Sequence, residues 1–479
     1  MSANIASWLY QRALKQPESL AIITDQQAYT YAQARHFTGI LAAHFRANGV
    51  APGQVVGVSM VTNPLHFLVI LALAQIGAIS LPLHPAVPRA RRLLAARRFG
   101  AQSVVSGRSE LALEGLDFIG LESVDFEVDS RTDESIHPVT DDTPMRIALS
   151  SGTSGDPKGM MLTHGLMAER MRTPEAGAGP DSRTLAMDLN FIVGFRPAMS
   201  AMARGAALVF PQSAAAEHIL QSMLRHRVTH AYFSPAQVRD ILALTTDGIS
   251  SPDLVCLRVG GGFVNAALWE ETKARLGRHV YASYGSTESG MVSYATPEML
   301  ARKPDTAGRI CAYASAEVVD AEGNQLPVGV TGQLRIRSSH QVKGYFRNDE
   351  RTARHFRDDW FYPGDLAHFD KEGLFYIDGR LDEQINIGGS MINPDDIEDS
   401  LAAHPAVMDA GVFAAHDGAS EVCAAAMVLN DDSRLDDVRR YAIAQLGPLA
   451  PARYWVMSAL PRTETGKLKR NELTNLYSE

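Results

Sequence analysis

Strand and helix signals alternate along the first 300 residues, and this alternation limits the fold more than any other feature of the chain. Residues 55–60 (VVGVSM) are apolar and β-branched, as a buried strand requires. Thr30 and Gln33 have the spacing of a capping box. Behind them Phe37, Ile40, Leu41, His44 and Phe45 recur at helical spacing, with Gly49 as the stop. Further on, a helix over 217–226 leads to a strand over 229–233. Ser234-Pro235 then opens another helix, and a strand over 254–259 runs into Gly260-Gly261-Gly262. Strands separated by helices call for parallel sheets covered by helices, an α/β fold. The 479 residues suffice for two to four domains or subdomains at roughly 100–200 residues each.

The texture changes after about residue 315. Short strands are expected at 316–319, 332–336 and 374–377, with turn residues between them. After Arg380 the pattern predicts a helix from Pro394, strands over 410–414 and 422–429, and a helix over 435–446. This places a boundary near Asp382, dividing the chain into 1–381 and 382–479. One run, 67–83, is apolar enough to raise the question of a membrane span. It carries Gln75, Gly77, Ser80 and Pro82, and Asn63-Pro64 caps a helix start. A buried helix over 64–76 and a strand over 78–81 are predicted, not a span.

The formal net charge is −9, with no basic stripe of the kind nucleic-acid binders carry. Cys256, Cys311 and Cys423 are odd in number and far apart, which excludes a disulfide framework or a CxxC zinc pair. A cytoplasmic, reducing location is expected, and residues 1–11 lack the pattern of a secretory signal.

The chemistry is concentrated in residues 147–164, IALSSGTSGDPKGMMLTH. An apolar strand enters a loop dense in glycine and hydroxyls with one lysine, the composition of an anion cradle. It is not a Walker A loop, because Pro157 and Gly159 flank Lys158. The segment Ser150-Ser151-Gly152-Thr153-Ser154-Gly155-Asp156-Pro157-Lys158-Gly159 resembles the phosphate loop of the adenylate-forming superfamily, which comprises acyl- and aryl-CoA synthetases, peptide-synthetase adenylation domains and firefly-type luciferases. Four further blocks follow in that family's order: Tyr284-Gly285-Ser286-Thr287-Glu288, Tyr362-Pro363-Gly364-Asp365, Gly379-Arg380-Leu381-Asp382, and PRTETGKLKR at 461–470. Singly, Glu288 reads equally as a helix-start acid, Asp365 as a turn residue, Arg380 as a surface ion pair and Lys467 as part of a basic patch. Their order decides for the family.

The resemblance implies a large N-terminal portion of helix-covered sheets with a small β-barrel-like subdomain, and a small mobile α+β C-terminal domain hinged at Asp382. It implies ATP and Mg²⁺ as cofactors, with CoA or the phosphopantetheine of a carrier protein as acceptor. The phosphate loop would hold the β- and γ-phosphates, Thr287 would donate to phosphate, and Glu288 would hold the metal. Tyr284 would stack on adenine, Asp365 would take the ribose hydroxyls and Arg380 would reach ribose or phosphate. Lys467 would neutralise charge between carboxylate and α-phosphate. Gly261, Gly262, Ser283, Gly285, Ser286 and Ile377 would complete the nucleotide contacts, and Gly389 would lie on the thiol's path. The acyl pocket would involve Asn190, Phe191, Gly194, Gly260 and Gly285.

Two positions depart from the family pattern. Pro363 replaces the usual threonine, removing an N–H and a hydroxyl, and Asn386 stands where many members carry lysine. Asp399-Ser400-Leu401 mimics a pantetheine attachment site but fits the helix after Pro394. Asn190 occupies the position where amino-acid-activating domains carry aspartate, and an uncharged amide cannot compensate a buried ammonium. The expected substrate is therefore a carboxylic acid without an α-amine, and Arg196 reads as an exposed helix arginine ahead of a residue that reaches a second acid group. The predicted reaction is acyl-AMP formation followed by transfer to an external thiol, because no cysteine lies in a motif. Rival readings are a carrier-protein-loading enzyme, a non-catalytic nucleotide-binding homologue and a luciferase-like oxygenase.

Overall fold

The structure is a computed structural model that describes residues 4–126, 132–150, 158–173, 177–244, 253–261, 266–277, 279–381, 385–387, 390–392, 394–417, 420–463 and 466–477. Two large sheets carry the first 310 residues, as the alternation requires. The first has six strands in the order Asp117–Gly120, Ala101–Ser106, Val55–Val58, Ile79–Pro82, Pro144–Ser150, Lys158–Thr163. All its pairings are parallel except the last, a hairpin. The second has nine strands. Its parallel centre runs Val280–Ser286, Cys256–Gly260, His230–Phe233, Arg183–Leu185, Ala207–Val209, Leu20–Ile23.

The local signals hold. Thr30 and Ser234 both close capping boxes, with Gln33 and Gln237, at the starts of helices Tyr31–Ala47 and Pro235–Ala243. The apolar run 67–83 becomes helix Pro64–Gln75, capped by Asn63, and strand Ile79–Pro82. Every residue of that helix from His66 to Gln75 is buried. It packs with helices Tyr31–Ala47 and Ile192–Arg204 in a core containing Phe45, Val69, Phe195 and Met199. Gln75 spends its amide on the Tyr10 hydroxyl and the Asp133 carbonyl, so its burial leaves no orphan polar group. No helix among the described residues is long and apolar enough to cross a membrane.

The third sheet is antiparallel, with strands Ala314–Val319, Gly332–Ser338, Phe356–Arg357, Trp360–Phe361, Asp365–Phe369 and Phe375–Arg380. Its described pairings form an open ladder. Leu334, Ile336, Phe361, Ala367 and Phe375 make its core.

The last hundred residues form a small α+β unit. Strands Val407–Asp417, Ser420–Leu429 and Arg453–Val456 alternate inward residues between two faces. Val412, Ala425 and Met427 meet helices Pro394–Ala402 and Leu435–Leu446. Phe413, Ala424 and Ala426 meet Leu473 of helix Arg470–Tyr477. A residue period of two thus covers both faces, as strand geometry demands.

Candidate active site

In open α/β sheets, ligand sites lie off the carboxyl ends of parallel strands. Here that edge of the nine-stranded sheet carries Ser234, Gly260-Gly261 and the hairpin that joins Val280–Ser286 to Gly290–Ala295. Three glycines are explained by close contacts. A Cβ on Gly260 would lie 2.8 Å from the Tyr232 hydroxyl and 2.6 Å from the Ser283 carbonyl. A Cβ on Gly285 would lie 2.2 Å from the Gly290 carbonyl, and one on Gly194 would lie 2.2 Å from that of Asp188. Gly261 has φ +81°, which L side chains rarely adopt.

The Tyr284, Asp365 and Arg380 side chains converge. The Tyr284 hydroxyl donates to Asp365 Oδ2. Arg380 Nη1 donates to Asp365 Oδ1 at 2.9 Å and to the Pro363 carbonyl at 3.1 Å. Asp365 is 8 % exposed. Burial first, and the Asp365 charge next, push the Tyr284 hydroxyl well above the ordinary phenol range, so it remains a donor. Its ring packs edge-on to Phe375, with Ile377 also lining that core. Strand pairing sets the geometry: Asp365 is the register partner of Arg380.

Thr287 and Glu288 sit at the hairpin tip, where the Ser286 and Ser289 hydroxyls bond across the turn at 3.1 Å. Glu288 is buried, and Oε1 accepts from the Tyr345 hydroxyl at 2.9 Å. Buried Arg170 braces the tip. Its Nη2 donates to the Thr287 carbonyl at 2.9 Å, and Nε and Nη2 both donate to the His340 carbonyl. Among the described residues no cluster of three or more His, Cys, Asp or Glu could cage a metal alone. One carboxylate beside hydroxyls is the oxygen donor set that Mg²⁺ accepts when phosphates complete its shell.

On the acyl side, Asn190 is buried. Its Nδ2 donates to the Met60 carbonyl at 3.2 Å and to Asp188 Oδ1 at 2.9 Å. Asp188 Oδ1 also accepts from the Asn190 backbone and, at 3.3 Å, from the Thr62 hydroxyl. Phe191 precedes helix Ile192–Arg204 as its N-cap. Arg196 is not an exposed helix arginine: it is half-buried with Nη1 enclosed, and its charge acts on Arg170, Tyr232 and His340. Its neighbours hid this, because Phe195, Ala198 and Met199 carry the stripe that enters the core.

Lys467 is exposed on a tight loop. Thr463 accepts from the Lys467 backbone through its hydroxyl at 3.1 Å, and Arg462 clamps Asp409 and the Gly466 carbonyl. Gly466 packs against Ala236 and Ser234, so the loop lies on the same carboxyl edge as Gly260. Lys158 opens the return strand opposite Ser150, whose strand alone is described. Ser151, Gly152, Thr153, Ser154, Gly155, Gly262, Asp382 and Gly389 lie outside the described residues.

Comparison with known proteins matches residues 9–346 to the AMP-binding enzyme model and residues 396–467 to the AMP-binding enzyme C-terminal domain. The chain belongs to the AMP-binding enzyme family. The indoleacetate–CoA ligase of Aromatoleum aromaticum is 28 % identical, with 99 % of this chain and 98 % of that one covered. A fatty acid–acyl-carrier-protein ligase of Streptomyces coeruleorubidus is 27 % identical over 97 % and 95 %. The solved o-succinylbenzoate CoA synthetase of Bacillus subtilis, in complex with its acyl-adenylate intermediate, superposes with a TM-score of 0.89 at 25 % identity, covering 97 % of each chain. Within the AMP-binding enzymes this chain is an acid–thiol ligase of the AMP-forming class.

Three residues of this AMP-binding enzyme site escaped the sequence reading: Arg146, Arg170 and Tyr345. Arg146 lies in the strand that leads into the phosphate loop. Its Nη2 donates to the Leu189 and Asn190 carbonyls at 2.7 and 3.2 Å, and its guanidinium covers the Phe195 ring at 4.6 Å. It ties the phosphate strand to the acyl block. Burial lowers both Arg146 and Arg170 to about 10, which leaves them charged at neutral pH. A charged residue inside the apolar stretch PMRIALS is the signal that could have found Arg146.

Proposed function

We propose that the protein activates a carboxylic acid lacking an α-amine, aryl before plain aliphatic, and passes the acyl group to CoA. The single observation that carries this is the convergence on one sheet edge of the Tyr284–Asp365–Arg380 cluster, the Glu288 hairpin tip and the Lys467 loop. Both reactants are anions, so catalysis rests on positioning and on fixed positive charge. Asp365 would exchange its present partners for the ribose hydroxyls, and Arg380 beside it would remain available to ribose or phosphate. Glu288, held by Tyr345, would be the carboxylate ligand of Mg²⁺, which supplies charge neutralisation on the phosphates. Lys467 would meet the charge that develops between the carboxylate and the α-phosphate. The product pair is acyl-AMP and pyrophosphate.

The carboxylate nearest the acyl block, Asp188, already accepts from Asn190 and Thr62. It is poorly placed to compensate a substrate ammonium, which supports an acid without an α-amine. Residues 1–381 would form the nucleotide-binding portion and 382–479 a mobile domain hinged at Asp382. That domain would swing to admit the thiol past Gly389. All three cysteines are buried and none is in a disulfide, which supports an external thiol and a reducing, cytoplasmic setting. A carrier-protein pantetheine is the second acceptor to test, favoured by the likeness to a carrier-protein ligase. Incubation with MgATP and a panel of aryl, fatty and amino acids, with CoA or a pantetheinylated carrier added, tests the reading. AMP and a thioester from a non-amino acid are expected. Strong activation of one α-amino acid alone would overturn it.

A further inference from the structure

Strand Cys256–Gly260 presents alternate residues to two sides. Leu257 and Val259 join the core under helices Pro235–Ala243 and Ala266–Arg275. Cys256, Arg258 and Gly260 face the other way, toward helix Ile192–Arg204. Gly260 ends the strand, against Tyr232 and Ser283. Toward the start of the strand lies a cavity of about 460 Å³ lined by Cys256, Arg258, Tyr281, Met291, Cys311 and Tyr313, a volume suited to a small organic ligand. A narrower extension runs past Pro197 and Tyr232 and shares Arg258. No Asp or Glu lines either space among the described residues. A second guanidine, that of half-buried Arg196, stands next to Pro197 of that extension, and its charge, like that of Arg258, acts on Cys311 and Tyr232.

We propose that the acid substrate is a dicarboxylate. One carboxylate would react at the Gly260 end of the strand, and the other, which does not react, would be received by Arg258 in the cavity, with Arg196 beside it. The inference rests on the ligase reading for the position of the reacting group. Two residues of strand separate Gly260 from Arg258, so the second carboxylate belongs about 7 Å further in. A guanidinium offers paired donors in the plane of a carboxylate, and tyrosine edges complete a polar floor beneath an otherwise apolar wall. No acid stands in the lining itself among the described residues, and the charge of Glu298 reaches Tyr281 from outside it.

The test uses the full chain with MgATP and CoA, and four acids: 3-phenylpropanoate and its ortho-, meta- and para-carboxylated ring analogues. AMP release gives kcat/KM, and calorimetry without ATP reads binding. The best ring-carboxylated acid should exceed 3-phenylpropanoate by about 30-fold or more, as expected when one partner of a buried charge pair is absent. Arg258→Met should erase that preference, Arg258→Lys should restore part of it, and Arg196→Met should weaken it should Arg258→Met fail to fold. Equal turnover of 3-phenylpropanoate and every ring-carboxylated acid would overturn the dicarboxylate while leaving the ligase reading intact. Arg258-dependent binding of a ring-carboxylated acid with no turnover would uphold the cavity and overturn the ligase reading instead. Failure of all ring-carboxylated acids to bind or react would overturn the proposal.

Discussion

At the scale of single residues, Asp365 is the most informative side chain. Both its oxygens are engaged, by Tyr284 and by Arg380, in a pocket where it is nearly buried. Asp365→Ala should weaken AMP binding by about 1.5–3 kcal/mol per lost hydrogen bond to the charged group, read by calorimetry. Asp365 was legible because it belongs to an ordered set of blocks, whereas Arg146 and Arg170 act on backbone carbonyls and match no motif. The half-burial of Arg196 is not legible in the sequence, because it depends on what the far sheet brings against the helix. A different residue governs stability toward acid. His66 is fully buried, and burial lowers it to about 3. It is neutral in the folded chain and protonates near 6.5 once unfolded, so its contribution is complete above pH 6.5 and is lost as pH falls from 6.5 toward 3. His164, lowered to about 4 mainly by burial, acts in the same direction. The loss should reach about 3 kcal/mol for His66 by pH 4. Urea midpoints should fall over that window, and His66→Leu should flatten the dependence.

At the scale of elements, the tip of the 280–295 hairpin is shaped by backbone contact. Its register slips at Tyr284/Gly285, where Gly285 meets the Gly290 carbonyl. Gly285→Ala should cost about 1–3 kcal/mol in stability by overpacking and displace Thr287 and Glu288. Thermal melting and metal-dependent ATP binding would report these separately. Capped helices such as Tyr31–Ala47 and Pro235–Ala243 were readable because both capping partners are local. Pairing order was not, since strand Ala207–Val209 lies between Leu20–Ile23 and Arg183–Leu185 and chain order cannot say so. The tie from phosphate strand to acyl block through Arg146, made across 43 residues of sequence, is likewise a tertiary arrangement. Arg146→Met should lower both stability and acid activation, because the Leu189 and Asn190 carbonyls lose a charged donor at about 1.5–3 kcal/mol each.

At the scale of the whole molecule, the C-terminal unit contributes one loop to the edge formed by the large sheets. Gly466 rests on Ser234 and Ala236, while Arg239 of the same helix faces Asp409 and Arg462. This docking suits the first half-reaction, in which Lys467 would act. Lys467→Ala should therefore reduce adenylation by about 3–4 kcal/mol in barrier yet spare thioester formation from supplied acyl-AMP. Equal losses in both half-reactions would contradict domain alternation. If this edge joins a carboxylate to the α-phosphate of ATP, the protein must catalyse acid-dependent exchange of labelled pyrophosphate into ATP. Exchange is expected with a carboxylic acid lacking an α-amine, none without acid, and near-complete loss in Lys467→Ala. Tight ATP binding with no exchange on any acid of a broad panel would contradict it.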